Sequence, residues 1–284
     1  HHTMRHLAGN ASFDTDEHLR NRRDAVRQYA GKVSDADWFD RQLGELPPGF
    51  LFASEPEQIA EDLARLHGLP GDAAVAWGRF LPQLNVVEYA IGAYDHVAPG
   101  LFHRLTGALT SKRLRILSAE IGTLADGLVL DRFYVHDDDH EGAPTAARMD
   151  DVSGALKKAA LDVGGAPPKF GRLWQDASRQ SGSFTHLPTD IRFDNDTSDR
   201  YTVIDVFAHD RMGLLYAITR TLFECGVSVG VAKIGTHLDQ VVDVFYVTDQ
   251  ETGAKITDEA RIALIRQHLV DAINKHFDGA AASV

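Results

Sequence analysis

Gly100-Leu101-Phe102-His103-Arg104-Leu105, carried on by Leu109 and then by Ile121-Gly122-Thr123, is written a second time in this chain. The second version is Gly213-Leu214-Leu215-Tyr216-Ala217-Ile218, carried on by Leu222 and then by Ile234-Gly235-Thr236. In each copy the isoleucine follows its glycine by 21 positions. Each copy then enters an apolar segment, Val129-Leu130-Asp131-Arg132-Phe133-Tyr134-Val135 and Val241-Val242-Asp243-Val244-Phe245-Tyr246-Val247. A single register slip, in the turn around Asp126-Gly127 or Asp239-Gln240, separates the second halves. Shared turn glycines, shared apolar periodicity and shared spacing mark a duplicated structural unit.

The pattern around each copy predicts its elements. Val87, Tyr89 and Ile91 alternate with smaller or polar residues, as a half-buried strand does. A glycine turn leads into a helix with Leu101, Phe102, Leu105 and Leu109 on one stripe. Strands follow over Arg115–Ile121 and Leu128–Val135, joined at Asp126-Gly127, and a helix over Met149–Leu161 closes the unit. The second copy gives a strand over Tyr201–Phe207, a helix over Leu214–Glu224, and strands over Val227–Ile234 and Gln240–Thr248. Its last helix starts at Thr257, with Asp258 and Glu259 in the first turn where the helix dipole favours them. Ile262, Ile265, Leu269 and Ile273 form that helix's buried stripe. Only Asp278 to Val284 remain after Phe277, so a fourth strand is sought at Thr189–Phe193, ahead of the unit. The order strand, helix, strand, strand, helix predicts an α+β fold of two ferredoxin-like units of the βαββαβ type. Antiparallel sheets with helices on one face are expected.

The organisation that follows is a helical segment at 1–72, a first unit at 73–161, a linker at 162–190, a second unit at 191–277 and a tail at 278–284. The linker is rich in Gly, Pro and Ser. Within the helical segment Thr15 and Ser34 stand where helix caps would. Leu46-Pro47-Pro48-Gly49 breaks the pattern, and Ser54-Glu55-Pro56-Glu57 reads as a capping box for a helix bearing Ile59, Leu63 and Leu66. His1-His2-Thr3-Met4 reads as a purification-tag remnant.

Composition narrows the function. The chain has 284 residues, 44% of them hydrophobic, and a formal net charge of −12. A nucleic-acid surface needs clustered Lys and Arg, which this balance opposes. No apolar run approaches the ~20 residues of a membrane span. Cys225 is the single cysteine; it has no internal partner, and its place at the end of an apolar helix fits a buried thiol in a reducing, cytoplasmic compartment.

Three patterns imitate catalytic sites. His209-Asp210 copies the dipeptide of a metal-dependent phosphohydrolase, but it ends a strand and lacks the helical His partners such sites require. Gly182-Ser183 with Asp194-Asn195-Asp196 copies a nucleotidyltransferase, yet it leads from a linker into a strand. Asp137-Asp138-Asp139-His140-Glu141 is an acidic loop of the kind that is usually solvated. An RNA-recognition fold shares the strand order but needs exposed aromatics on one face; Phe245 and Tyr246 are adjacent and point to opposite faces. Catalytic and metal-binding residues are therefore not expected in this chain.

The glycine after a first strand, the Leu-Leu or Leu-Phe helix start and the Asp-x-Phe-Tyr-Val strand resemble an ACT domain, a small amino-acid-binding module. The stretch Phe193–Val206, with His209-Asp210-Arg211-Met212-Gly213-Leu214-Leu215-Tyr216, Val231-Ala232-Lys233-Ile234 and Val241–Asp249, resembles the C-terminal tandem ACT region of bacterial PII uridylyltransferase/uridylyl-removing enzymes. The likeness covers roughly residues 45–277. In that family a nucleotidyltransferase domain, which uses Mg²⁺ and UTP, and an HD domain precede the ACT pair. Neither is expected in this region, and so no cofactor is.

The resemblance implies an amino-acid sensor, with glutamine as the ligand and PII as the protein partner of the parent enzyme. ACT–ACT pairing within the chain or in a homodimer is implied too. The chemistry of the loop agrees: glycine lets backbone N–H groups approach a ligand, and a helix N-terminus favours its carboxylate. Asp210 stands to pair with the ligand's ammonium group, with Arg211, Met212, Gly213, Leu214 and Leu215 around it and Val231, Ala232 and Lys233 on the facing strand. The first copy supplies Asp95, Gly100, Leu101, Phe102 and, opposite Lys233, Glu120. Its Asp-to-Gly loop is two residues longer, so the second copy is the favoured ligand site. A module that only dimerises or docks, without ligand, is the alternative.

Overall fold

The structure is a computed structural model that describes residues 16–96, 100–140, 142–162, 189–209, 213–237 and 240–281. Its strands are β1 (Val75–Leu81), β2 (Val86–Tyr94), β3 (Leu114–Thr123), β4 (Leu128–Asp137), β5 (Asp190–Asp194), β6 (Thr202–His209), β7 (Val227–His237) and β8 (Gln240–Asp249). Its helices are α1 (Asp16–Arg27), α2 (Ala36–Glu45), α3 (Pro48–Ala53), α4 (Pro56–Leu66), α5 (Leu101–Ser111), α6 (Ala146–Leu161), α7 (Leu214–Glu224) and α8 (Glu259–Ala281). The described strands form one antiparallel sheet in the order β1-β2-β4-β3-β7-β8-β6-β5.

The α+β, ferredoxin-like class expected from the repeat is the one found. The chain order within each unit departs from βαββαβ in one respect: the fourth strand comes first. β5 pairs with β6 from the N-terminal side, Ile191 opposite Val206, where the missing strand was sought. The first unit does the same with β1, which pairs with β2 from Val75↔Gly92 to Leu81↔Val86 and was not anticipated. Each unit thus runs ββαββα and ends in the helix that covers its sheet.

The units join through their middle strands. β3 and β7 pair at Ser118↔Lys233, Ala119↔Ala232 and Glu120↔Val231. Ala119 and Ala232 are repeat mates, so a local two-fold axis passes between them. Thr106 of α5 and Thr219 of α7 are repeat mates as well, and their hydroxyl oxygens lie 3.2 Å apart. The axis therefore runs through both sheet and helix layers. A single apolar core fills the space between them, including Leu105, Leu109, Phe133 and Leu156 from one unit and Ile218, Leu222, Phe245 and Ile265 from the other.

A second core lies on the opposite face, under the first unit only. α1 to α4 contribute Val26, Phe39, Leu43, Phe50, Leu51, Ile59, Leu63 and Leu66 to it, against Trp77, Ala90, Leu128 and Leu130 of the sheet. Gly92 admits this layer: a Cβ there would come within 2.0 Å of Leu66 Cδ2. Two cap assignments shift by one residue. Asp35, not Ser34, accepts the Trp38 N–H at the start of α2. α4 starts after Glu55, whose N–H donates to Gln58 Oε1 at 3.4 Å, while the Ser54 hydroxyl accepts from Arg132 instead. Thr15, the linker core at 163–188 and the tail beyond 281 lie outside the described residues. Among the described residues no helix is long and apolar enough to cross a membrane.

Candidate functional site

Both glycines that open the repeat are left-handed. Gly100 has φ 68° and ψ 29°, Gly213 has φ 83° and ψ 0°, and each is the N-cap of its helix. An L side chain at either would carry a steric penalty of about 1–2 kcal/mol, which explains the residue choice. Among the described residues neither helix start receives a side-chain cap. The helix dipole favours an anion at the first-turn amides of both α5 and α7.

The local axis makes α5 and α7 antiparallel neighbours, so the start of each helix lies near the end of the other. A Cβ on Gly100 would come 3.1 Å from Phe223 Cε1, a residue of the last turn of α7. His103 fills the seam between them, its ring centroid 5.2 Å from Phe223 and 6.0 Å from Tyr216. Its Nδ1 has no hydrogen-bond partner. Burial, with help from Arg104 and Arg220, pushes the imidazole down to about 4, so it is neutral near pH 7. Each helix start is thus built from both units. The far wall differs between copies, since the repeat mate of Phe223 is Thr110.

On the first loop, Asp95 donates its N–H to the Gly127 carbonyl at 2.9 Å, tying the end of β2 to the β3–β4 turn. Phe102 stacks on Phe133 at 5.7 Å, 18° from parallel. Leu101 and Leu214 are buried core residues, and Leu215 packs against the same core. Asp210, Arg211 and Met212 lie outside the described residues, as do Val97, Ala98 and Pro99.

The strand residues named from sequence divide between the two faces of the sheet. Ala232 is fully buried on the helix side. Val231, Lys233 and Glu120 take the opposite face, because neighbouring strand positions alternate. Lys233 Nζ lies 5.1 Å over the Tyr246 ring. Glu120 sits beneath α3, its Oε1 at 3.5 Å from where a Cβ of Gly49 would stand. Burial pushes the Glu120 carboxyl up to about 7, against the pull of Arg132. The helix starts and these two charged side chains are therefore not brought together.

Beneath α3 and α4 lies an ion network that the sequence did not announce. Arg132 is fully buried and donates to Asp62 Oδ2 at 2.6 Å and to Ser54 Oγ at 3.0 Å. Its guanidinium carbon lies 4.7 Å from the centroid of Phe50. Asp62 also accepts from Arg79 at 2.9 Å and from Trp77 Nε1 at 3.2 Å, while Arg79 donates to Glu88 at 3.0 Å. Buried charges persist only when paired in this way.

Asp131 is different. It is 1% exposed, and neither carboxylate oxygen makes a hydrogen bond of normal geometry. Burial pushes it up to about 8, with only the nearby Gly122 backbone N–H opposing. Its repeat mate Asp243 is also 1% exposed. Both occupy the middle of an apolar strand, in the phrases Val129-Leu130-Asp131 and Val241-Val242-Asp243. That duplicated acid was the signal available in the sequence.

Of the imitation motifs, the described acids make local structure, while Asp210, Gly182, Ser183 and Glu141 lie outside the described residues. Asp194 Oδ1 accepts from the N–H groups of Asp196 and Thr197, closing a turn. Asp137 pairs with Arg148, Asp138 with Arg115 and Asp139 with Arg113. No group of three or more metal-ligating side chains occurs among the described residues.

Comparison with known proteins agrees with this architecture. Residues 190–277 match the model of the ACR9-like, ACT-like domain. The chain is 33% identical over 270 residues to a bifunctional uridylyltransferase/uridylyl-removing enzyme of Erythrobacter litoralis, covering 93% of the chain and 28% of that protein. It is 35% identical over 200 residues to the protein of the same name from Gluconobacter oxydans, covering 68% and 20%. With the Azospirillum brasilense protein the figures are 32% over 248 residues, covering 84% and 26%. The chain thus spans about a quarter of the length of the curated relatives it matches.

Proposed function

We propose, from the premise that this chain belongs to the ACT-like family and is kin to part of the bifunctional uridylyltransferase/uridylyl-removing enzymes, that it is an amino-acid-sensing regulatory module. Glutamine is the ligand. Its binding shifts the parent protein between adding UMP to the PII signalling protein and removing it. The observation that carries this reading is the pair of left-handed glycine helix starts, without a side-chain cap among the described residues and each set against the last turn of the other unit's helix. Such a start offers N–H donors to an α-carboxylate. Its position at the seam couples occupancy to the way the two units meet.

The residues proposed to line the sites are Gly213, Leu214 and Leu215 with the Asp210-Arg211-Met212 loop in one copy, and Asp95, Gly100, Leu101 and Phe102 in the other. Signalling through the seam then requires that a ligand prefer one arrangement of α5 against α7, since a ligand shifts an equilibrium only by its differential affinity. Calorimetric titration of the chain with glutamine, set against a panel of other amino acids, tests the reading. Saturable heat with glutamine and little with the others is expected. A flat titration at millimolar glutamine overturns it.

A second reading has its own observation. The outer face of β6, β7 and β8 carries Val231, Val242, Val244 and Tyr246, half-buried, and no described helix packs on it. A docking or dimerisation module would use that face. Sedimentation of the chain alone, showing a dimer unaffected by glutamine, would favour it.

A further inference from the structure

The outer face of β5 to β8 is laid out in rungs. The middle rung runs Lys233, Val244, Asp205 and Arg192 across β7, β8, β6 and β5. On one side of it lie Val231, Tyr246 and Val203, and on the other Gly235, Val242 and Phe207. Apart from buried Val203 and exposed Arg192, these positions are half-buried. The first unit covers its matching face with α1 to α4, whereas no described helix packs on this one. A contiguous apolar patch left in this way marks an interaction surface.

Two charges stand within the patch. Lys233 and Asp205 flank Val244 on one rung, two strand spacings or about 10 Å apart, too far to pair with each other. Among the described residues neither makes an ion pair. Lys233 Nζ rests 5.1 Å over the Tyr246 ring. Arg192, beside Asp205 on β5, pairs with Asp190 at 2.7 Å. Burial and Asp194 push the Asp205 carboxyl up, against the pull of Arg192. A half-buried lysine and a half-buried acid thus await charges from outside the chain.

The pattern is self-complementary under one symmetry. A two-fold axis lying between two stacked copies and along β8 reverses the order of the strands and keeps the rungs. It sets Lys233 over the partner's Asp205 and Asp205 over the partner's Lys233. Val244 meets its own mate on the axis, and Phe207 comes over the partner's Gly235, which leaves room for a ring. An axis running across the strands sets lysine on lysine and acid on acid instead, which like-charge repulsion opposes. Stacked sheets lie about 10 Å apart, a gap that side chains from both faces fill.

We propose that the outer face of the second unit is an isologous interface on which a second copy of this chain stacks, Lys233 against the partner's Asp205 and Val244 against the partner's Val244. The inference stands apart from the sensing reading, since the helix starts take no part in it. It names the occupant and the orientation that the docking reading leaves open.

Sedimentation equilibrium of the whole chain, with and without glutamine, is the test, and circular dichroism checks folding. The wild type is expected to dimerise in both conditions. Lys233→Glu and Asp205→Lys each put two like-charge contacts into the interface, and each is expected to weaken dimerisation about 10- to 100-fold. The double variant exchanges the charges and is expected to return to within about threefold of the wild type. An equimolar mixture of the two single variants is the decisive arm. Only the mixed dimer pairs both charges, so the mixture is expected to dimerise where each variant alone does not. If a reversal fails to fold, Val244→Lys takes its place: it sets two ammonium groups on the axis and is expected to give a monomer. A wild type that is monomeric at about 100 µM overturns the proposal and leaves glutamine sensing untouched, as does a dimer that survives every substitution. Losses that neither the double variant nor the mixture recovers also overturn it, by showing that the two charges serve the fold alone.

Discussion

β4 and β8 are one strand written twice and used in two ways. In β4 the residues from Leu128 to Val135 are all buried. In β8 the residues from Val241 to Thr248 alternate buried and half-buried. A strand covered on both faces reads as a continuous apolar run, and one covered on a single face alternates. The difference arises on the outer side, where α1 to α4 lie over the first unit alone. There Arg132 replaces a small aliphatic residue and is met by Asp62 from 70 residues earlier in the chain. On the helix side the two strands stay alike, Val129, Asp131, Phe133 and Val135 matching Val241, Asp243, Phe245 and Val247. The duplicated face holds what both units share, and the outer face holds what distinguishes them.

The sharpest way to break the first unit's outer face is to remove one member of its ion network. Asp62→Ala leaves the Arg132 guanidinium buried and uncompensated, and an expected loss of about 3–5 kcal/mol follows. Urea unfolding measures it. Asp62→Leu with Arg132→Leu removes both charges and should recover most of that loss. Hydrogen exchange should show the loss first in β2 and β4, with β6 and β8 protected as before.

The helix starts come next. Gly213→Ala forces an alanine into the left-handed region, costing at least about 1 kcal/mol. Gly100→Ala carries the same strain and also places its methyl 2.4 Å from His103 Cε1. That ring is held between Tyr216 and Phe223 and has little room to yield, so about 2–3 kcal/mol is expected. Thermal or urea midpoints should rank Gly100→Ala below Gly213→Ala.

How much of this was legible follows the same division. The repeat was readable because apolar spacing and turn glycines are local, and α7 lies where the Leu214–Glu224 stripe put it. β5 was readable from the want of a fourth strand. β1 was not: Val75-Ala76-Trp77-Gly78-Arg79-Phe80-Leu81 puts a glycine and an arginine mid-strand, and Arg79 is accommodated only through Asp62 and Glu88. The burial of Arg132 was hidden for the same reason, since its partners come from α4 and the α3–α4 junction. Ser34 and Ser54 were read as caps because serine is a common one; neighbouring Asp35 took the first role, and Arg132 gave Ser54 another. Asp131 and Asp243 were visible as letters in both copies. Only the packing shows that Asp131 is buried without a partner.

A smaller effect separates the faces by pH. The Glu120 carboxyl sits at about 7 in the folded protein, against an ordinary 4.5. Because its folded value is raised, its contribution to stability is complete below about 4.5 and is lost as pH rises through about 7. Glu120→Gln removes that slope. The wild type should lose about 1–2 kcal/mol relative to the variant between pH 4.5 and 7.5, allowing for relaxation around the site. Lys233, its repeat mate, stands on the open face over the Tyr246 ring. Urea midpoints of wild type and Glu120→Gln across the range measure the difference.

The smallest effect is expected where the copies are most alike, on the axis itself. Thr106 Oγ1 donates to the His103 carbonyl at 2.8 Å, and Thr219 Oγ1 donates to the Leu215 carbonyl at 2.8 Å. Each hydroxyl has one proton, and each spends it within its own helix. The 3.2 Å contact between the two oxygens then has no proton of its own unless one of those bonds is shared. Thr106→Val and Thr219→Val should therefore have nearly equal effects, and the double variant should depart from their sum by less than about 0.5 kcal/mol. A larger coupling would mean that one hydroxyl has turned from its carbonyl to its mate. The seam would then be held by a directional bond, where the packing of His103, Tyr216 and Phe223 now accounts for it.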